Sequence, residues 1–242
     1  MFRRVAPLSC AYFAYVALSM SSVRGVNLPM YTTLRRTTAA FTMTAEYFAV
    51  GKRQSRAVTT AVGAMVAGAF VAALGDAHFD ASGAFNTLVP IRPRYARVFA
   101  NNAATAVYLA CISRYGKSSG LNSFGMMWCN GVVTAPAVLA STMATGELAA
   151  VGTFRRLGEF SFEAVVVASC ALAFALNYAV FLNTSLNSAL TQTICGNLKD
   201  VVVIVLGFNA FGGVAVNAVN ACGVAVGLCA SFRYATLKFK VR

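Results

Sequence analysis

An all-α, polytopic membrane protein of about eight helical spans is the architecture this sequence predicts, and three observations predict it. Charged residues make up 11% of the 242 residues, where about 25% is usual for a soluble domain. Mean hydropathy is +0.67, and a soluble chain of this size could not hide that much apolar surface. The sequence also divides into apolar runs of roughly 20 residues, the length that crosses a hydrocarbon core. The chain therefore reads as one membrane domain, residues 1–242, with no soluble part. Disorder and a disulfide-stapled secreted module are excluded by the same composition.

The spans follow in order. Residues 5–23 form an uncharged first run, 26–50 a second with Arg35, Arg36 and Glu46 inside it, and 57–75 a clean third. The fourth, 98–113, has only 16 uncharged residues. A fifth fits within 118–146. Residues 164–198 carry no formal charge over 35 positions, too long for one crossing, so the run must fold back. The polar cluster Asn183-Thr184-Ser185, with Asn187-Ser188 behind it, is the expected hairpin. The sixth span then ends near 182, the seventh runs 186–208 across Lys199-Asp200, and the eighth covers 211–232.

Orientation follows from the Lys/Arg distribution, since cytosolic loops carry the excess. One side receives Arg3, Arg4, Lys52, Arg53, Arg56, Arg114, Lys117, Arg233, Lys238, Lys240 and Arg242; the other receives Arg24, Arg155 and Arg156 with the acidic link around Asp76 and Asp80. Both termini are expected in the cytosol. Arg92, Arg94 and Arg97 fall on the wrong side, all within 86–97. Excising that stretch joins 82–85 to 98–113 as one span of ordinary length, so 86–97 reads as an insertion or gene-model artefact, with a genuine lumenal loop as the alternative. Phe2-Arg3-Arg4 leads into a full span without a small-residue cleavage site, so no cleaved leader is expected. The tail Lys238-Phe239-Lys240-Val241-Arg242 matches a K-x-K-x-x retrieval pattern, a receptor-read address; ordinary positive-inside flanking charge is the competing reading.

Net charge is +13, from 20 Lys+Arg against 7 Asp+Glu, but the basic residues punctuate apolar runs, and no nucleic-acid partner is expected. The seven cysteines show no CxxC spacing and His78 stands alone, so neither a metal nor a cofactor is expected. No nucleophile–base pair or phosphate-cradling Gly-rich loop occurs, and the chain is not read as an enzyme.

Charges inside spans are costly and mark function by default. Arg35 and Lys199 each lie about nine residues from the lumenal ends of antiparallel spans, hence at similar depth near mid-membrane. With Arg36 against Glu46 and Asp200 the site keeps a net positive charge suited to an anion. Successive helix positions diverge by about 100°, so Arg35 and Arg36 cannot both face one cavity. Simple pairing of these charges inside the bundle is the alternative. A coarse repeat is also present. Spans one to three read uncharged, basic-centred, then Gly-rich (Gly63, Gly68); spans six to eight repeat the order with Lys199 in the middle and Gly223 and Gly227 in the last. Five spans separate the starts of the two units, so the second is inverted, an arrangement transporters use.

The segment Asn27-Leu28-Pro29-Met30-Tyr31-Thr32-Thr33-Leu34-Arg35-Arg36, followed by Glu46-Tyr47 and Gly51-Lys52, resembles the fourth helix of nucleotide-sugar transporters in the drug/metabolite transporter superfamily. Residues 187–200, ending Gly196-Asn197-Leu198-Lys199-Asp200, resemble their ninth helix, closest to the UDP-sugar branch; Phe124-Gly125-Met126-Met127-Trp128-Cys129-Asn130-Gly131 with Pro136 resembles their seventh. The GDP-mannose pattern, Gly-Ala-Leu-Asn-Lys with a pair of asparagines on the seventh helix, is not met.

The resemblance implies a fold of two inverted five-helix units. Residues 5–80 would supply three helices of the first and 81–242 five of the second, leaving the first two helices missing. It also implies exchange of a cytosolic nucleotide sugar for a lumenal nucleoside monophosphate by alternating access, in a Golgi or endoplasmic reticulum membrane, with a homodimer as one arrangement. Lys199 with Arg35 or Arg36 is then expected to hold phosphate, a guanidinium in bidentate fashion and an ammonium as a point charge. Asn130 and Trp128 would meet base or sugar. Thr33, Thr37, Thr191 and Asn197 are weaker candidates, since membrane hydroxyls commonly bond helix to helix. A non-transporting truncated paralogue and a sugar-phosphate exchanger are the alternatives.

Overall fold

Ten helical segments, joined by turns and with no strand among the described residues, make up the computed structural model, which describes residues 2–23, 28–74, 93–199 and 218–240. In chain order they are α1 (Phe2–Val23), α2 (Leu28–Arg35), α3 (Thr38–Val50), α4 (Arg56–Leu74), α5 (Pro93–Ser118), α6 (Ser123–Ala144), α7 (Glu147–Gly152), α8 (Phe160–Leu186), α9 (189–199) and α10 (Ala218–Lys240). Among the described residues four stretches are long and apolar enough to cross a membrane: Ala6–Val23, Arg56–Leu74, Ser123–Ala144 and Phe160–Leu186. The expected acidic link at Asp76 and Asp80, Asp200 and the second half of the seventh span lie outside the described residues.

Two core clusters organise the helices. The first joins α1, α5, α6, α8 and the start of α9 through Leu8, Tyr108, Leu109, Ile112, Met126, Phe181 and Ala189. The second joins α3, α4, α9 and α10 through Ala39, Val62, Met65, Leu190, Ile194, Ala230 and Tyr234. A smaller group, Tyr31, Leu34, Ala73 and Val98, ties α2 to α4 and α5. Outside these clusters the helices keep apolar surface outward: Val167, Leu172 and Phe174 on α8 are largely exposed, as lipid-facing residues must be where the solvent is hydrocarbon.

Three elements differ from the sequence reading. The second span is not one helix. It stops at Arg35, makes a turn at Arg36-Thr37 and restarts at Thr38. Through the break the backbone switches to i→i+3 bonds, Arg36 N–H to Thr33 O at 3.2 Å and Thr37 N–H to Leu34 O at 3.1 Å. Second, Pro93 to Arg97 form the opening of a continuous α5, where the fixed φ and absent N–H of proline suit a first turn; residues 86–92 are outside the described set. Third, the α8–α9 hairpin turns at Asn187-Ser188, beyond the Asn183-Thr184-Ser185 cluster. Those three residues stay helical because Ser185 bonds back to Leu182 O at 3.0 Å and the Asn187 N–H still reaches Asn183 O at 2.9 Å.

Glu46 explains how the two ends of the second cluster are joined. It is 1% exposed, and its carboxylate accepts from the Ala189 N–H at 2.8 Å and from Gln54 Nε2 at 3.2 Å. An anion at the first N–H groups of a helix meets the positive end of its dipole and an orphan donor together. Glu46 thus caps α9, and eleven residues of chain, the break at Arg36-Thr37 included, separate it from Arg35. Glu46→Ala is expected to cost about 1.5–3 kcal/mol, the range for a charge-assisted bond, and Glu46→Gln less, because an amide oxygen can still accept. Thermal unfolding of the detergent-purified chain checks this; equal midpoints for Glu46→Ala and the parent would contradict it.

Candidate functional site

Where the two clusters meet, a cavity of about 270 Å³ opens. Its cationic residues are Arg35 from α2 and Lys199 from α9, placed together from positions 164 residues apart. Asn197 and Gly196 lie beside Lys199, and Thr38 on the far side of the helix break lines the same space. The opposite wall is aromatic: Tyr12 and Tyr15 from α1 and Tyr108 from α5. Tyr15 and Tyr108 stack with centroids 5.6 Å apart and planes 3° from parallel, and Tyr12 tilts against Tyr108 at 5.2 Å. Asn177 of α8 and Gln192 and Thr193 of α9 supply uncharged polar groups.

The break at Arg36-Thr37 gives Arg35 its position. Carbonyls released from the α-helical ladder need other donors in a membrane, and threonines provide them. Thr37 Oγ1 bonds to Leu34 O at 2.7 Å and Thr38 Oγ1 to Arg35 O at 2.5 Å. Asn102 of α5, fully buried, spans the break from outside. Its Nδ2 donates to Leu34 O at 3.1 Å and to Thr37 Oγ1 at 3.0 Å. Next to it Asn101 Nδ2 donates to Tyr31 Oη at 3.1 Å, and the Arg35 guanidinium lies 5.8 Å from the centre of the Tyr31 ring, within cation–π range. Arg35 is thereby held on a short rigid helix at a discontinuity, the setting in which membrane transporters place charge-binding groups.

Arg36 faces elsewhere, as the helical offset requires. It is 5% exposed and lines a small separate cleft with Met65, Asn197, Gly227 and Ser231; a methyl group on Gly227 would come 3.6 Å from its Nη1. Asn197 borders both spaces. The other sequence-selected residues are not brought to the cavity. Trp128 is 63% exposed, whereas Asn130 is 2% exposed; two residues apart on one helix they diverge by about 200°, so a single site cannot use both. Thr191 Oγ1 joins Tyr234 Oη at 3.0 Å, fastening α9 to α10, and Thr33 is buried with its carbonyl committed to the break. Lys238 and Lys240 lie in the last turn of α10.

Sequence reasoning missed the tyrosine wall, Asn102 and Gln192. The i, i+3 spacing of Tyr12 and Tyr15 was a signal, as was the Asn101-Asn102 pair inside a span, where uncompensated amides are expensive.

The chain is 49% identical over 232 residues to the UDP-N-acetylglucosamine transporter UGNT1 of Arabidopsis thaliana, a match covering 96% of this chain and 64% of that protein. It is 31% identical over 241 residues to UDP-galactose/UDP-glucose transporter 7 of the same plant, covering 98% of this chain and 71% of the relative. The chain belongs to the nucleotide-sugar transporter family. The UDP-sugar transporter sqv-7 of Caenorhabditis elegans is 30% identical over 240 residues, with 98% of this chain and 70% of the relative aligned. No family model matches the chain. In this nucleotide-sugar transporter family member the aligned residues span just under two-thirds of the first relative's length.

Proposed function

We propose that the chain carries nucleotide sugars, UDP-sugars in preference, from the cytosol into the Golgi or endoplasmic reticulum lumen in exchange for a nucleoside monophosphate. The observation that carries this reading is the convergence of Arg35 and Lys199 on one cavity from two distant segments of the chain. Both substrates bear phosphate, so a cationic site serves each in turn. The names of the relatives favour uridine nucleotides. Alternating access requires the same site to open to either side, and a cavity at the junction of two separately packed clusters meets that need. Trp128, on the outer surface, has no part in this scheme.

Proteoliposomes of the full chain, loaded with UMP, are expected to take up labelled UDP-sugars faster than empty ones, with a C-terminal tag accessible from the cytosolic side in cells. Uptake indifferent to internal UMP would contradict exchange, and no uptake of any UDP-sugar would contradict the reading.

A further inference from the structure

A chain of amides runs from the α8–α9 turn into the cavity. Asn187 Nδ2 donates to Asn183 Oδ1 at 2.7 Å, and Asn183 Nδ2 donates to Gln192 Oε1 at 2.5 Å. Each link fixes the orientation of the next amide, because an amide whose oxygen is engaged must turn its NH2 the other way. Gln192 lines the cavity, so with Oε1 held by Asn183 its Nε2 is the atom left to serve a ligand. Gln192 and Lys199 are seven residues apart on α9, two turns along one face and about 10 Å in rise. A phosphate at Lys199 leaves room for a ribose before the group that meets Gln192. That group also meets uncharged walls, the tyrosines and Asn177.

From this geometry we infer that Gln192 is a specificity-determining residue that reads the base of the nucleotide, and that Asn183 is its positioning residue. The inference rests on the reading of the cavity as a nucleotide site. A fixed donor does little to sort sugars, whose hydroxyls donate and accept alike. It does sort pyrimidines. Uracil offers a carbonyl acceptor at C4, where cytosine has an amino group that only donates. A Gln192 amide locked as a donor favours uracil; one free to rotate can present Oε1 and accept cytosine as well.

The test compares UMP and CMP affinities of the full chain, purified in detergent, for the parent, Asn183→Leu and Gln192→Met. The two nucleotides share phosphate and ribose, so the contributions of Lys199 and Arg35 cancel in the ratio. The parent is expected to prefer UMP, and both variants to lose that preference by roughly three- to tenfold, the value of one neutral hydrogen bond. In Asn183→Leu the change is expected to come mainly from tighter CMP binding. If one variant fails to fold, the other still decides. A preference unchanged in the folded variant, or equal weakening toward both nucleotides, would overturn the assignment. Absence of binding to either nucleotide by the parent would overturn the nucleotide reading together with it.

Discussion

Replacing Gly223 by valine is expected to remove most of the folded protein. α10 packs extensively along α4, and the two meet through glycines. A Cβ on Gly223 would stand 2.6 Å from both Ala72 Cα and Gly68 O, and one on Gly68 would stand 2.7 Å from Gly223 O and 2.8 Å from Gly227 N. These are backbone atoms, which cannot swing aside as a side-chain end can. Overpacking of this kind costs about 1–3 kcal/mol and occasionally more, and valine adds a branched group to the first clash. Because separating α4 from α10 also moves Gly227 off the Arg36 guanidinium, the damage is expected to spread into the cleft beneath the helix break. Gly63→Ala is the matched control, since nothing lies within 4 Å of its added carbon. Monodisperse yield in detergent is the readout. Gly223→Val yield equal to that of Gly63→Ala would contradict the account of this contact.

The same two helices show what the sequence made legible. Gly68 and Gly223, singled out as belonging to Gly-rich spans, meet face to face, and Arg35 and Lys199, from the basic-centred spans, line one cavity. Composition and the spacing of charges were enough to select these residues because charge and glycine are both expensive inside a span unless something uses them. The break at Arg36-Thr37 was hidden, since residues 30–50 contain no glycine or proline to mark it. The side-chain bonds at the break come from Thr37 and Thr38, each to the carbonyl three residues back, and from a distant Asn102, the last of which no local pattern encodes. The turn was misplaced by a few residues because Asn183 and Ser185, polar enough to suggest a hairpin, spend their polarity within the helical packing. Trp128 and Asn130 were given one role by the seventh-helix resemblance, but two residues apart on a helix they take opposite faces, one exposed and one buried.

Lys199→Ala is expected to weaken UMP binding roughly ten- to a hundredfold while leaving folded yield near that of the parent. Losing a charge-assisted contact to phosphate costs about 1.5–3 kcal/mol, and each 1.4 kcal/mol is about tenfold in affinity. A competing account makes Lys199 a counter-ion whose loss strands a buried acid, which would lower stability instead. For Glu46 that account fails on geometry. Its carboxylate is engaged at the Ala189 N–H, ten residues and about 15 Å of helix from Lys199. Arg35→Ala is expected to act in the same direction, and the double variant to fall short of additivity if both cations hold one phosphate. A poorly folded Lys199→Ala whose surviving fraction binds UMP normally would refute the phosphate role.

The central claim, that the cavity between the two packing clusters is a phosphate-anchored nucleotide site, is tested most directly by titrating UMP and uridine against the full chain. The two ligands differ only in the phosphate. UMP is expected to bind at least about tenfold more tightly, by the value of charge-assisted contacts, with the difference shrinking in Lys199→Ala and Arg35→Ala. Equal affinity for uridine and UMP, or a preference untouched by both substitutions, would contradict the account.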